Sequence, residues 1–362
     1  MEYANIRIFK LDKKIPVDEK KVEAEIARYK KTGKLSNIEV DPDYNIVKNP
    51  EAYAAGKRLK LKYLESSRIK SMKKPNDNFP ATFLIELTNR CNLNCRMCPR
   101  NQLERAEKDM DMKVFERLVD EISKHKIEGI WVYNIGESML HPQFFEMMEY
   151  LKKYPDIKPI WLSTNGTTLI RENAKKLLNS RIDFLNFSLN AMDKKTHQQI
   201  TRYDNYDMVM ENISGFMKMK EEMKARKPFF RVQIIDMPEM HDKIPAFMKE
   251  WGPKADIISI NKLEKFVGQK EIPTNTDDGA TAGFASGICK RIDRGIMYIF
   301  ADSKVGICAT DFNCKNCVGD VTNQTIEEVW TGKAYKQLLD DIKNERYDQM
   351  KLCKDCHDRH LA

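Results

Sequence analysis

The sequence predicts an α/β fold in which parallel strands alternate with helices, followed by a cysteine-rich extension. Three observations lead there. From residue 81, short apolar runs alternate six times with segments of helical periodicity, the order that gives parallel strands joined by right-handed crossovers. Two more units would be needed to close an eight-stranded barrel, so six leave it open. Beyond about Ile272 the alternation stops, and paired cysteines take over.

The elements follow in order. Residues 3–68 have their own pattern: a strand near Ile6-Arg7-Ile8, a helix from Glu19 to Lys30, and Gly33. A strand Ile38-Glu39-Val40, the turn Asp41-Pro42-Asp43, a strand Tyr44 to Val47 and a helix Glu51 to Leu59 complete it. The first unit of the main body is the strand-like run Ala81 to Leu87. Asp111 then suits the cap of a helix whose apolar Phe115, Leu118, Val119 and Ile122 share a face. Strands are predicted at Gly129–Tyr133, Lys158–Leu162, Phe184–Phe187, Phe229–Ile235 and Ile257–Ile260. Between them, helices are predicted at Phe144–Leu151, Glu172–Leu178, Val209–Met223 and Ile244–Trp251. A loop over 273–285, a hairpin formed by Met297–Phe300 and Val305–Cys308, and a helix opened by the capping box Thr325 to Glu328 end the series.

The chemistry is densest at Cys91-Asn92-Leu93-Asn94-Cys95-Arg96-Met97-Cys98, directly after the first strand of the main body. Cysteine is the usual ligand of iron–sulfur centres, and three thiolates this close can occupy three corners of a cubane. No fourth cysteine lies nearby, so one iron would keep an open position for a ligand. A zinc knuckle would close with a fourth Cys or His in a short loop, and buried structural thiols need no such spacing. Cys91, Cys95 and Cys98 in this setting resemble the radical S-adenosylmethionine (SAM) superfamily. That resemblance implies a TIM-like partial (β/α)6 barrel and a 4Fe–4S cluster whose open iron chelates SAM. It further implies reductive cleavage of SAM to methionine and a 5′-deoxyadenosyl radical that abstracts a substrate hydrogen. The residue before the third cysteine, often aromatic in the family, is Met97 here, and a methionine can pack on an adenine face.

The same resemblance extends to the strand ends. Asn134-Ile135-Gly136-Glu137 is similar to the family's Gly-Gly-Glu segment, with Gly136 and Glu137 carrying the match at the site that receives the SAM amino group. Ser163 and Asn165 after the third strand, and Ser188 and Asn190 after the fourth, stand where the family holds the SAM carboxylate and ribose. Arg202 is a candidate carboxylate partner through a bidentate guanidinium contact. Taken singly, each of these is as readily a cap or turn residue. No catalytic acid or base is singled out.

Six cysteines remain. Cys289, Cys308, Cys353 and Cys356, with the hairpin between the first two, resemble the SPASM/twitch extension. The resemblance implies a second, auxiliary 4Fe–4S cluster with four protein ligands. Cys314 and Cys317 are left over as spare ligands or structural thiols. The competing arrangement is a zinc ribbon of Cys314, Cys317, Cys353 and Cys356. His357 and His360 are close enough to act as surrogate ligands, although terminal histidines are more often merely exposed.

Three segments are therefore expected: an N-terminal module over 1–75, a radical SAM barrel over 80–270 and a twitch/SPASM domain over 280–362. The first 80 residues hold nineteen Lys and Arg against twelve Asp and Glu, while the other 282 hold 43 against 42. A basic excess so placed suits a polyanionic partner, or simply a solvated surface. The order of elements in this segment is similar to the ParB/sulfiredoxin-like fold, which binds nucleotides or nucleic acid. Lys48-Asn49-Pro50-Glu51 replaces that family's phosphate-binding turn. A degenerate docking module or a basic cap on the barrel fits better than a nucleotide hydrolase.

No apolar run approaches membrane-spanning length, and Met1 to Asn5 lack the apolar core of an export signal. Nine cysteines without such a signal point to metal ligation in a reducing cytoplasm rather than to disulfides. The resemblance then implies an oxidoreductase served by flavodoxin or ferredoxin, with the auxiliary cluster accepting an electron from a substrate radical. Sugars or aminocyclitols lead the substrate classes. Peptide (RiPP) maturation and modification of a nucleotide or a DNA or RNA base follow, the last motivated by residues 1–75. An iron–sulfur scaffold or electron carrier is the non-enzyme alternative.

Overall fold

The strands of the described residues form one sheet. In the computed structural model of the chain, the residues described are 45–47, 78–252, 254–263, 266–267, 289, 292 and 295–356. Six consecutive strands form the centre of the sheet. They are β2 (Thr82–Ile85), β3 (Gly129–Trp131), β4 (Ile160–Thr164), β5 (Phe184–Ser188), β6 (Phe229–Asp236) and β7 (Ile257–Lys262). They lie side by side in sequence order, and every neighbouring pair is parallel. This is the open six-unit partial barrel.

Both edges of the barrel are extended. On one side β1 (Asn45–Val47) pairs antiparallel with β7. On the other, β8 (Ile296–Ile299) pairs parallel with β2, and the hairpin continues through β9 (Lys304–Gly306) to β10 (Gly319–Asp320). An exposed edge is a template for unwanted pairing, and here both outer barrel strands are paired. The cysteine-rich segment thereby shares a sheet with the first barrel strand. Of the predicted N-terminal module, only the strand ending at Val47 falls among the described residues. The 273–285 loop, His357 and His360 also lie outside them.

The helices pack against the convex face of the sheet. In α1 (Met112–Ile122) the Asp111 side chain accepts from the backbone N–H groups of Lys113 and Val114, and Phe115, Leu118, Val119 and Ile122 are buried. Then come α2 (Phe144–Tyr150), α3 (Arg171–Leu178), α4 (Lys194–Thr201), α5 (Tyr206–Glu222) and α6 (Ile244–Trp251). Helix α4 was not expected from the periodicity. It is short and polar, and a reciprocal Asp193–Thr196 capping box opens it. The predicted Thr325–Glu328 box opens α7 (Ile326–Trp330), and α8 (Lys333–Lys343), also unpredicted, follows it. Phe115, Phe144, Phe187, Phe216 and Phe247 are among the largest fully buried side chains.

Strand boundaries shift by no more than two residues from the predicted ones. Their apolar runs continue beyond the hydrogen-bonded ladder: Leu87 and Val132 are fully buried although β2 and β3 have ended.

Candidate active site

The loop bearing Cys91, Cys95 and Cys98 leaves the C-terminal end of β2 and is held from three sides. The Arg96 N–H donates to the Ile200 carbonyl at 2.8 Å and the Asn94 N–H to that of Thr201 at 3.3 Å, so the end of α4 supports the middle of the loop. The Arg100 guanidinium donates to the Cys91 carbonyl at 2.7 Å. Arg96 forms an ion pair with Glu239 at 2.7 Å, linking the loop to the segment after β6. Met97 is buried in the core.

The three cysteines are half-buried and close enough for their charges to act on one another. Burial raises the pKa of all three, that of Cys98 to about 11, and the charges of neighbouring cysteines add to the rise at Cys95 and Cys98. Such thiols stay protonated until a cation displaces the protons, which is how a thiolate-ligated metal site behaves. Among the described residues no three His, Cys, Asp or Glu side chains converge as ligands of a single ion. A cubane takes one thiolate per iron and spreads its ligands wider, so this donor set fits a cluster better than a zinc ion.

Beside the thiols stands a second constellation, at the ends of β3 and β4. Glu137 is 3% exposed. Its carboxylate accepts from the Thr164 hydroxyl at 2.8 Å and from the Asn165 N–H at 2.7 Å. Burial outweighs these bonds and raises its pKa to about 7. Gly136 lies against the strand that feeds the cysteine loop: a Cβ there would meet the Thr88 carbonyl oxygen at 2.0 Å and that of Arg90 at 3.0 Å. The Asn165 side chain donates to Asn92 Oδ1 at 3.0 Å and points at Cys91 Sγ at 3.8 Å, while Asn92 Nδ2 donates to Thr167 at 2.8 Å. Glu137, Asn165 and Cys91 thus form one network. A buried carboxylate suits a positively charged amino group.

Ser163 and Ser188 are also brought together, with their hydroxyls 3.1 Å apart on the concave face. Asn190, in the left-handed region at φ 53°, donates its backbone N–H to the Gln233 carbonyl at 3.2 Å. Arg202 is the left-handed cap of α4 at φ 65°, next to Thr201, which touches the cysteine loop.

Cys289, Cys308, Cys353 and Cys356 are the set that the resemblance implies for the auxiliary cluster. Burial and the charges of Cys308, Cys356 and Cys289 raise the pKa of Cys353 to about 12, so these four stand together. Cys314 and Cys317 are joined to each other in a disulfide. That corrects the expectation that the chain forms no disulfides. The two-residue spacing alone brings the Cα atoms to 5.0 Å. Asn316 between them still reaches the four-cysteine group, donating to Cys353 Sγ at 3.3 Å.

The sequence reading missed the link between the two cysteine sites. Glu86, fully buried at the end of β2, forms an ion pair with Arg105 at 2.8 Å and accepts from Asn134 at 3.1 Å and from the Ala301 N–H at 3.0 Å. Arg105 also donates to the Phe312 carbonyl at 2.8 Å, and its guanidinium lies 4.3 Å from the Phe300 ring centroid. The available signal was a lone glutamate inside the apolar run Phe83-Leu84-Ile85-Glu86-Leu87.

Comparison with known proteins agrees with this geometry. Residues 85–226 match the radical SAM superfamily, and residues 289–357 match the SPASM iron–sulfur cluster-binding domain. The tungsten-containing aldehyde ferredoxin oxidoreductase cofactor-modifying protein of Pyrococcus furiosus is 30% identical over 166 residues, covering 46% of each chain. A probable GTP 3′,8-cyclase of Pyrococcus abyssi is 32% identical over 156 residues, 43% of this chain and 47% of that one. The chain thus spans about half the length of the curated relatives it matches. Among solved structures, Streptococcus suis SuiB bound to S-adenosylmethionine superposes with a TM-score of 0.60 at 14% identity, covering 93% of this chain and 82% of that one. At that identity the likeness is one of fold.

Proposed function

A chain that carries a radical SAM domain followed by a SPASM domain is a radical SAM enzyme with a SAM-binding 4Fe–4S cluster and an auxiliary iron–sulfur cluster, and we propose that this one acts on a nucleotide. The observation that supports SAM binding most is the shared network of Glu137, Asn165 and Cys91 beside the other two loop thiols. When bound, the first cluster would supply the electron for reductive cleavage of SAM and hydrogen abstraction from the substrate, and the auxiliary cluster would supply a one-electron acceptor.

The residues divide the remaining work. Cys91, Cys95 and Cys98 hold the first cluster, and Cys289, Cys308, Cys353 and Cys356 the second. Glu137 receives the SAM amino group and releases its proton to do so. Asn165 orients Cys91 and the loop, and Gly136 gives the carboxylate its close approach. Arg202, at the foot of the same loop, is the partner for the SAM carboxylate. An external one-electron donor of the flavodoxin or ferredoxin type feeds the first cluster. Among the described residues no helix is long and apolar enough to cross a membrane.

For the substrate, a nucleotide has more support than the sugar or aminocyclitol that leads the sequence reading, because several curated relatives are GTP 3′,8-cyclases. The test is to incubate the reconstituted, reduced enzyme with SAM and deuterated GTP, ATP or glucose 6-phosphate. Deuterium should move from a nucleotide into 5′-deoxyadenosine. Transfer from the sugar alone would overturn the nucleotide reading.

A further inference from the structure

The concave face of the barrel carries side chains that neither cysteine site uses. Burial alternates along β4 and β6: Ile160, Leu162, Phe230, Val232 and Ile234 are buried, whereas Trp161, Ser163, Arg231 and Gln233 are only half-buried. A small barrel filled by its own side chains would bury both sets. The inner rows here remain open to solvent.

Those rows form two layers. Below, Trp161 stacks on Phe184 with ring centroids 3.8 Å apart, beside Phe229 and Ile257, and closes the base with an apolar floor. Above, Ser163, Asn186 and Arg231 stand in register across β4, β5 and β6. Asn186 Nδ2 donates to the Ser163 hydroxyl at 2.9 Å and, at 3.3 Å, to the Ser188 hydroxyl and to Gln233 Oε1. Arg231 donates to the Ser259 hydroxyl on β7.

Burial raises the pKa of Tyr133, which follows β3, and the charge of Arg231 opposes that rise. One buried polar atom in each layer lacks a protein hydrogen-bond partner: the Asn186 amide oxygen, in a residue 6% exposed, and the Trp161 indole N–H. Buried polar atoms are nearly always hydrogen-bonded, so these two call for a ligand with both a donor and an acceptor.

We propose that this hollow is the substrate site and that Arg231 binds a phosphate of the substrate there, with Asn186 and Trp161 hydrogen-bonding its uncharged part. Ser163 and Ser188 then face the substrate and are not SAM contacts. This rests on the nucleotide reading and names the residue that would select for it. A guanidinium grips an oxyanion through paired N–H donors, which a neutral substrate does not exploit.

The test is equilibrium dialysis of GTP and guanosine against the full, cluster-reconstituted chain with SAM. Wild type should bind GTP more tightly than guanosine, and inorganic phosphate should displace GTP. Arg231→Met should weaken GTP about 10- to 100-fold while leaving guanosine nearly unchanged, and Arg231→Lys should recover part of the loss. Equal GTP binding by wild type and Arg231→Met would overturn the assignment. So would a wild-type enzyme that forms 5′-deoxyadenosine but does not prefer GTP to guanosine, or one from which phosphate displaces no GTP. Failure to form 5′-deoxyadenosine would instead overturn the underlying enzyme reading, so the two failures are distinct.

Discussion

Arg105 and Glu86 form an ion pair at 2.8 Å with side chains 4% and 0% exposed, and the pair joins the barrel to the cysteine-rich domain. Burial raises the pKa of Glu86, and the Arg105 guanidinium opposes that rise. Removing one partner strands the other charge, at a cost of about 3–5 kcal/mol. Arg105→Ala or Glu86→Ala should therefore lower the denaturation midpoint sharply. The double variant Glu86→Ala/Arg105→Ala should be less destabilised than the sum of the two single variants. Chemical denaturation of all three variants measures this, and simple additivity would contradict it.

Gly136→Ala puts a methyl group 2.0 Å from the Thr88 carbonyl oxygen. Backbone cannot yield as a flexible side chain does, so the strand end carrying the cysteine loop must shift. The variant should lose about 1–3 kcal/mol or more and bind less iron on reconstitution. Unchanged stability with full iron would refute the close approach.

Glu137 gives a pH dependence of definite sign. Its folded pKa of about 7 lies above the unfolded value of 4.5. Its contribution to stability is complete below pH 4.5 and is lost as pH rises to 7, because folding then holds a buried charge. The loss is of the order of 3 kcal/mol. Glu137→Gln should flatten the stability profile of the SAM-free protein between those pH values, since a glutamine can still accept from the Asn165 N–H. Thermal denaturation across this range compares the two proteins, and parallel profiles would contradict the assignment.

The division of the C-terminal cysteines predicts different iron contents. The variant Cys314→Ser/Cys317→Ser should keep about eight irons per chain, enough for two 4Fe–4S clusters, while Cys353→Ser should fall to about four. Iron and acid-labile sulfide assays decide between them. Loss of iron in the first variant would assign Cys314 and Cys317 as ligands.

The barrel and the cysteine triplet were legible because they rest on local signals. Strand and helix periods identify the units, and the spacing of Cys91, Cys95 and Cys98 lies within eight residues. Asp111 and Thr325 also cap the helices that their motifs predicted. Arg105 and Arg231 were not legible, because their meaning comes from partners far away in the chain: Glu86, Ala301 and Phe312 for the first grouping, Tyr133 and Ser259 for the second. Helix α4 was missed for a related reason, since its polar sequence gives little periodicity and its stability comes from a cap and from the loop it supports.

The central claim is that the loop of Cys91, Cys95 and Cys98 carries a cluster that cleaves SAM. The direct measurement is anaerobic reconstitution, reduction with dithionite, addition of SAM and quantification of 5′-deoxyadenosine. Wild type should form it in step with methionine, and Cys91→Ala should form none. A wild-type chain with its full iron content and no 5′-deoxyadenosine would contradict the account.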